Sequence, residues 1–191
     1  MRKIDSQKLK ALQEAVFELT VSDGLAGLSM SKIAKKANIS PSTMYVYYDD
    51  KETMISDIYK QVKDELDYGI NENMKSVDDN FEKIGVAMRT FANNAKSHPL
   101  GLLYFNAAQT NLGMFNEEAR KYSEISSANV INVYQGLLRN NQIRNVSQLV
   151  FESLTMSPLV SLLAGNYQHG KTTSETDIEA VIATVLNGLK K

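Results

Sequence analysis

From Ser40 to Lys51 the chain reads S-P-S-T-M-Y-V-Y-Y-D-D-K, a run of hydroxyl-bearing side chains closed by a lysine. Ser40 can cap a helix that Pro41 begins, which puts the hydroxyls of Ser40, Ser42 and Thr43 in one turn. There they can donate to anionic oxygens, beside the free N–H groups and positive dipole end of the helix. Tyr45 lies within a turn of Ser42 on the same side, where its ring can pack on a methyl group and its hydroxyl can reach a polar edge. Tyr47 and Lys51 lie further along, suited to flanking anionic groups.

The residues just upstream complete a pattern. Ser29 can cap a helix whose Ile33, Ala34 and Ala37 face inward, and Asn38 tolerates the positive φ of a tight turn. Leu28 to Lys51 therefore reads as a helix-turn-helix whose second helix is short, uncharged and rich in hydroxyls. In such a motif the first helix positions the second, whose early residues meet base edges in the major groove of DNA. Backbone contacts would fix register, while Ser42, Tyr45 and Thr43 would carry sequence information, Tyr45 through a thymine methyl. A generic helix cap followed by packed tyrosines would show the same residues, so spacing leaves both readings open.

Composition sets the frame. The 191 residues are 43% hydrophobic and 23% charged, ordinary for a globular chain with one or two cores. The net charge of -1 is unevenly spread: residues 1–48 hold seven Lys/Arg against four acids, +3, and residues 49–191 hold 14 against 18, −4. Excess positive charge near the N-terminus fits local phosphate contact. With no cysteine, disulfides and thiolate metal sites are excluded. No apolar run approaches eighteen residues and the first ten lack a signal peptide's hydrophobic region, so a cytoplasmic location without membrane contact is expected.

Helical periodicity dominates, and no alternating strand pattern occurs. Leu9, Leu12, Val16 and Leu19 mark a first helix ending near Gly24, where glycine can take a left-handed cap. A fourth begins near Asp50 with Ile58, Val62 and Leu66 on its stripe, and a fifth carries Phe81, Ile84, Met88, Phe91 and Ala95 until His98-Pro99 stops it. Further helices are expected over 100–111, 116–139, 147–165 and 174–190, with Pro158 kinking or starting the helix that contains it. The fold class is all-α with about nine helices: a helix-turn-helix domain over 1–49 and a helical body over 50–191 for effector binding and dimerisation.

Read in order, Gly24, Leu28, Ser29, Ile33-Ala34, Ala37, Ile39-Ser40, Thr43-Met44-Tyr45, Tyr47-Tyr48 and Lys51 resemble the DNA-binding domain of the TetR/AcrR family of bacterial transcriptional regulators, from about Leu9 to Val62. Asn38 stands where the family usually has glycine, and Ser42 replaces a common glycine at a base-facing position. The resemblance implies that Thr43, Tyr47 and Lys51 hold phosphates, that Tyr45 touches bases, and that Ser31 is a backbone contact. It further implies a homodimer through the last two helices, 147–165 and 174–190, and an effector pocket among the central ones.

For that pocket the candidates are Met88, Phe91, Tyr104, Asn106, Gln109, Tyr134 and Met156, apolar walls with a few polar groups. A Met or aromatic at helical spacing is equally ordinary core, and His98 suits a helix end. The set has no carboxylate, which favours a hydrophobic or neutral effector over a cationic one. A homodimeric repressor released from a palindromic operator by a small molecule is the expected function. Effector-independent architectural or division-control binding, and activation, are the alternatives. An enzyme is not expected, nor is a metal or cofactor: there are two histidines, no GxSxG and no P-loop, and Glu117-Glu118 reads as a complement to a helix dipole.

Overall fold

The computed structural model describes residues 6–191; Arg2, Lys3 and Asp5, counted above in the N-terminal charge, lie outside the described residues. The elements in order are α1 (Ser6–Asp23), α2 (Met30–Lys36), α3 (Pro41–Met44), α4 (Lys51–Asp67), α5 (Ile70–Met74), α6 (Asn80–Ser97), α7 (Pro99–Gln109), α8 (Glu117–Arg139), α9 (Gln148–Thr155), α10 (Ser157–Gln168) and α11 (Glu175–Leu189). Short 3-10 turns occupy Leu25–Gly27 and Leu112–Met114. No strand occurs among the described residues, only an isolated antiparallel bridge between Ile143 and Lys190. The fold is all-α; one break subdivides the helix expected over 147–165, and another follows the helix expected to begin near Asp50. Gly69, at φ 76°, ends α4 and starts α5. Pro158 separates α10 from α9, as its missing N–H demands. Counting α4 with α5 and α9 with α10 leaves nine helices among the described residues.

The chain forms two compact units, Met1–Lys63 with Leu100–Tyr122, and Asp64–Pro99 with Ser123–Lys191. In the first, Leu12, Val16, Ile33, Met44, Met54, Ile55 and Ile58 are at most 1% exposed. Aromatic rings fill the rest of this core. Phe17 lies 5.4 Å from Tyr104, and Tyr59 lies 5.1 Å from Phe115 and stacks on Phe105 at 6.1 Å. Two polar contacts fix α4 within the unit: the Tyr104 hydroxyl donates to the Ile55 carbonyl at 2.6 Å, and the Asn116 N–H donates to Ser56 Oγ at 3.0 Å. Lys60 reaches both Asp57 (3.0 Å) and Glu118 (2.9 Å).

The second unit is built on α6, whose Ile84, Ala87, Met88, Phe91, Ala92 and Ala95 are buried. Helices α5, α10 and α11 pack against it. At Gly85 an added Cβ would sit 3.3 Å from Leu186 Cδ1, so the absence of a side chain lets α11 come close. Arg89 grips Glu179 of α11 through two bonds of 2.5 and 2.7 Å, and Lys96 pairs with Glu175 one turn away. The Asn94 amide donates to the carbonyls of Leu66 (2.9 Å) and Tyr68 (2.8 Å), satisfying acceptors at the end of α4.

Candidate DNA-reading surface

Local sequence builds the candidate surface. Ser29, in extended conformation, accepts from the Lys32 N–H at 3.3 Å and so starts α2. Asn38 takes φ 54° and turns the chain, as glycine commonly does elsewhere. Ser40 then caps α3 by accepting from the Thr43 N–H at 3.1 Å. Pro41 follows at the start of the helix, where its missing N–H costs nothing. Met44 is fully buried and Tyr48 is 8% exposed, so these two anchor the segment in the core of the first unit.

The predicted contact residues fall on this one element and its flanks. Ser40 Oγ is a hub, 2.9 Å from Ser42 Oγ and 2.8 Å from Thr43 Oγ1. Ser42 is exposed and Thr43 half-buried. Tyr45 is 55% exposed, and Tyr47 is half-buried. Lys51, also half-buried, donates to the Leu28 carbonyl at 3.3 Å, which ties the start of α4 to the entry of α2. Ser31 is exposed, its hydroxyl 3.2 Å from that of Ser29. The sequence reading missed Val46, 57% exposed beside Tyr45, and the exposed Pro41. The inward pair Met44 and Tyr48, four apart, puts 42 and 46 on the opposite side, whereas the exposure of Pro41 is seen only in the structure.

The positive charge of this region is partly spent inside it. Lys32 donates to Asp23 at 2.8 Å and to the Gly27 carbonyl at 3.1 Å, and Lys36 pairs with Glu18 at 2.5 Å. Hydrogen bonding from Lys32 holds the Asp23 carboxyl below the usual carboxylate range. Asp50 accepts from the Thr53 N–H at 2.7 Å, a bond that likewise lowers its carboxyl and caps α4.

The effector candidates are spread over both units. In the first unit, Tyr104 is fully buried with its hydroxyl on Ile55, while Asn106 and Gln109 of the same helix are exposed. In the second, Met88 and Phe91 are 1% exposed. Tyr134 stacks on Phe151 at 4.5 Å and donates to the Val146 carbonyl at 2.6 Å. Met156 is half-buried at the junction of α9 and α10, and His98 stands at the end of α6. An open apolar groove of about 510 Å³ lies on the second unit, lined by Leu154, Pro158, Val181, Thr184, Val185 and Leu189 among others. Leu149, Val150 and Leu154 on α9 are exposed. Gln148–Gln168, with 21 residues and a hydropathy of 1.2, is long and apolar enough for a membrane span, which the sequence reading did not anticipate. The break between α9 and α10 interrupts it.

Comparison with known proteins places this architecture. Residues 13–58 match the model of the bacterial regulatory proteins, tetR family. The chain is similar to the fatty acid metabolism regulator protein of Bacillus subtilis (strain 168), 26% identical over 133 residues, covering 69% of this chain and 66% of that protein. Its fold is that of a TetR family transcription regulator from Marinobacter aquaeolei VT8, with a TM-score of 0.83 at 23% identity over all of both chains. It is also similar to the fatty acid degradation regulator from Bacillus halodurans, with a TM-score of 0.69 at 16% identity over 96% of this chain and 97% of that one. The matched segment runs from α1 into α4 and resembles the bacterial regulatory proteins of the tetR family, and the whole chain follows the fold of such regulators.

Proposed function

We propose that the protein is a homodimeric repressor that holds a palindromic operator and releases it when a small hydrophobic or neutral effector binds the helical body. In this reading residues 1–49 are the DNA-binding domain and residues 50–191 the body. Ser31, Ser40, Thr43, Tyr47 and Lys51 contact the phosphate backbone, and Ser42 and Tyr45 face the bases. Two copies present two copies of α3, and half-sites spaced by whole turns of DNA follow from that symmetry. The observation that carries the dimer is the open groove on α9, α10 and α11, whose lining is almost wholly apolar. An apolar face of this kind stabilises a chain once a partner covers it.

Two similar proteins are named for fatty acid metabolism and fatty acid degradation, and the regulated genes are proposed to belong to that metabolism. Its place of action is the cytoplasm, where the operator lies. A fatty acid or an acyl thioester is the effector class to test first, since either is hydrophobic over most of its length. Binding would favour a body conformation that no longer matches the operator, by as much as the effector's affinity differs between the two states.

Thr184 tests the assembly. It is exposed and lines the groove, so Thr184→Glu places a charge there without entering the core. Sedimentation should show a wild-type dimer, and a variant that is helical, monomeric and unable to hold the operator. A monomeric wild type that still binds its operator would refute the assembly.

A further inference from the structure

The outward side of α3 and the turn after it consists of Pro41, Ser42, Tyr45 and Val46, all exposed. Tyr45 and Val46 are 55% and 57% exposed, while Met44 and Tyr48 between them point into the core. This side carries no Arg, Lys, Asn, Gln, Asp or Glu. In the major groove, guanine is read by paired donors from Arg or Lys, adenine by the amide of Asn or Gln, and cytosine by a carboxylate. None of those groups is present on this face. Its one small hydroxyl, on Ser42, lies 2.9 Å from Ser40 Oγ. The remaining surface is two methyls on Val46, the ring of Tyr45 with its terminal hydroxyl, and the ring of Pro41. The major-groove feature that suits the apolar part of this surface is the C5-methyl of thymine.

We propose that α3 reads its half-site through thymine methyl groups, with Tyr45 and Val46 as the specificity-determining residues, so that the base pairs beneath it are A·T-rich. The inference rests on the reading of α3 as the element that enters the groove. Val46 gains a role here that packing does not give it, because more than half of its surface is in solvent.

Uracil differs from thymine by the methyl alone and pairs identically. Operator affinity is compared between a duplex selected from a random pool and the same duplex with dU for dT in the half-sites. The uracil duplex should bind more weakly by about fourfold for each contacted methyl, the effect of burying one CH₂-sized group. Val46→Ala, at an exposed position that leaves the fold intact, should weaken binding to the thymine duplex and leave binding to the uracil duplex nearly unchanged. Equal affinity for the two duplexes, or an equal loss from Val46→Ala on both, would overturn the inference and leave DNA binding standing. Selection of no preferred duplex at all would overturn the reader assignment, and this inference with it.

Discussion

The Tyr104 hydroxyl of α7 donates to the backbone carbonyl of Ile55 in α4 across 2.6 Å, joining two segments 49 residues apart in sequence. Tyr104 is fully buried, and its ring lies 5.4 Å from Phe17 of α1 and 6.5 Å from Phe115. Helices α1 and α4 flank the helix-turn-helix in sequence, so this one side chain helps to fix the frame on which α3 is carried. Tyr104→Phe keeps the ring and removes the donor. We expect a loss of about 1 kcal/mol and a fall in melting temperature of about 2–4 °C for a chain of this length, read by thermal unfolding.

Burial pushes the Tyr104 hydroxyl well above its ordinary range, which gives a second expectation. A tyrosine raised in the folded state contributes stability that is fully present below the unfolded-state value, about 10. That contribution is lost as pH rises from there through the folded-state value. Tyr104→Phe should therefore flatten the alkaline decline of stability relative to wild type. An unchanged alkaline limb in denaturant titrations would contradict the burial assigned to this group.

Ser40 and Ser42 are separable although their hydroxyls touch. Ser40 caps α3, and Ser40→Ala should cost about 1 kcal/mol of stability as well as operator affinity. Ser42 is exposed and makes no cap, so Ser42→Ala should change stability by less than about 0.5 kcal/mol while still weakening operator binding. Parallel melts and gel-shift titrations would show the divergence, and equal destabilisation by both variants would remove the distinction.

Arg89 and Glu179 join α6 to α11 by a two-pronged ion pair that is close to half exposed on each side. Solvent screening limits its value to about 0.5–1 kcal/mol. Hydrogen bonding from Arg89 lowers the Glu179 carboxyl, so the contribution is present above the unfolded-state value and is lost as pH falls through the folded one. The stability advantage of wild type over Glu179→Gln near neutral pH should narrow below about pH 4. Arg89→Lys should lose part of the same advantage, because an ammonium cannot reproduce the fork.

Local chemistry made most helix ends legible. Ser29, Ser40 and Ser174 each accept from the N–H three residues on, the pattern that marks a start in the sequence. The end of α4 was not legible, because Gly69 acts there together with the Asn94 amide, which arrives from α6 through tertiary packing. Orientation within 100–111 was equally hidden: that run is too uniformly apolar to show a face, and only packing turns Tyr104 inward and Asn106 and Gln109 outward. The N-terminal charge count also overstated what is available to phosphates, since Lys32 and Lys36 are already paired with Asp23 and Glu18. On the candidate surface, residue type drew attention to Ser42 and Tyr45, whereas Val46 was passed over because valine draws no attention until its exposure is known.

Selection of bound duplexes from a random pool, run in parallel on wild type and Tyr45→Ala, tests the reader assignment most directly. Tyr45 is exposed, so the variant should keep its helical spectrum, melting temperature and oligomeric state. Wild type should enrich one palindromic sequence, and Tyr45→Ala should enrich none. Enrichment of the same sequence by both proteins would show that Tyr45 does not read the bases.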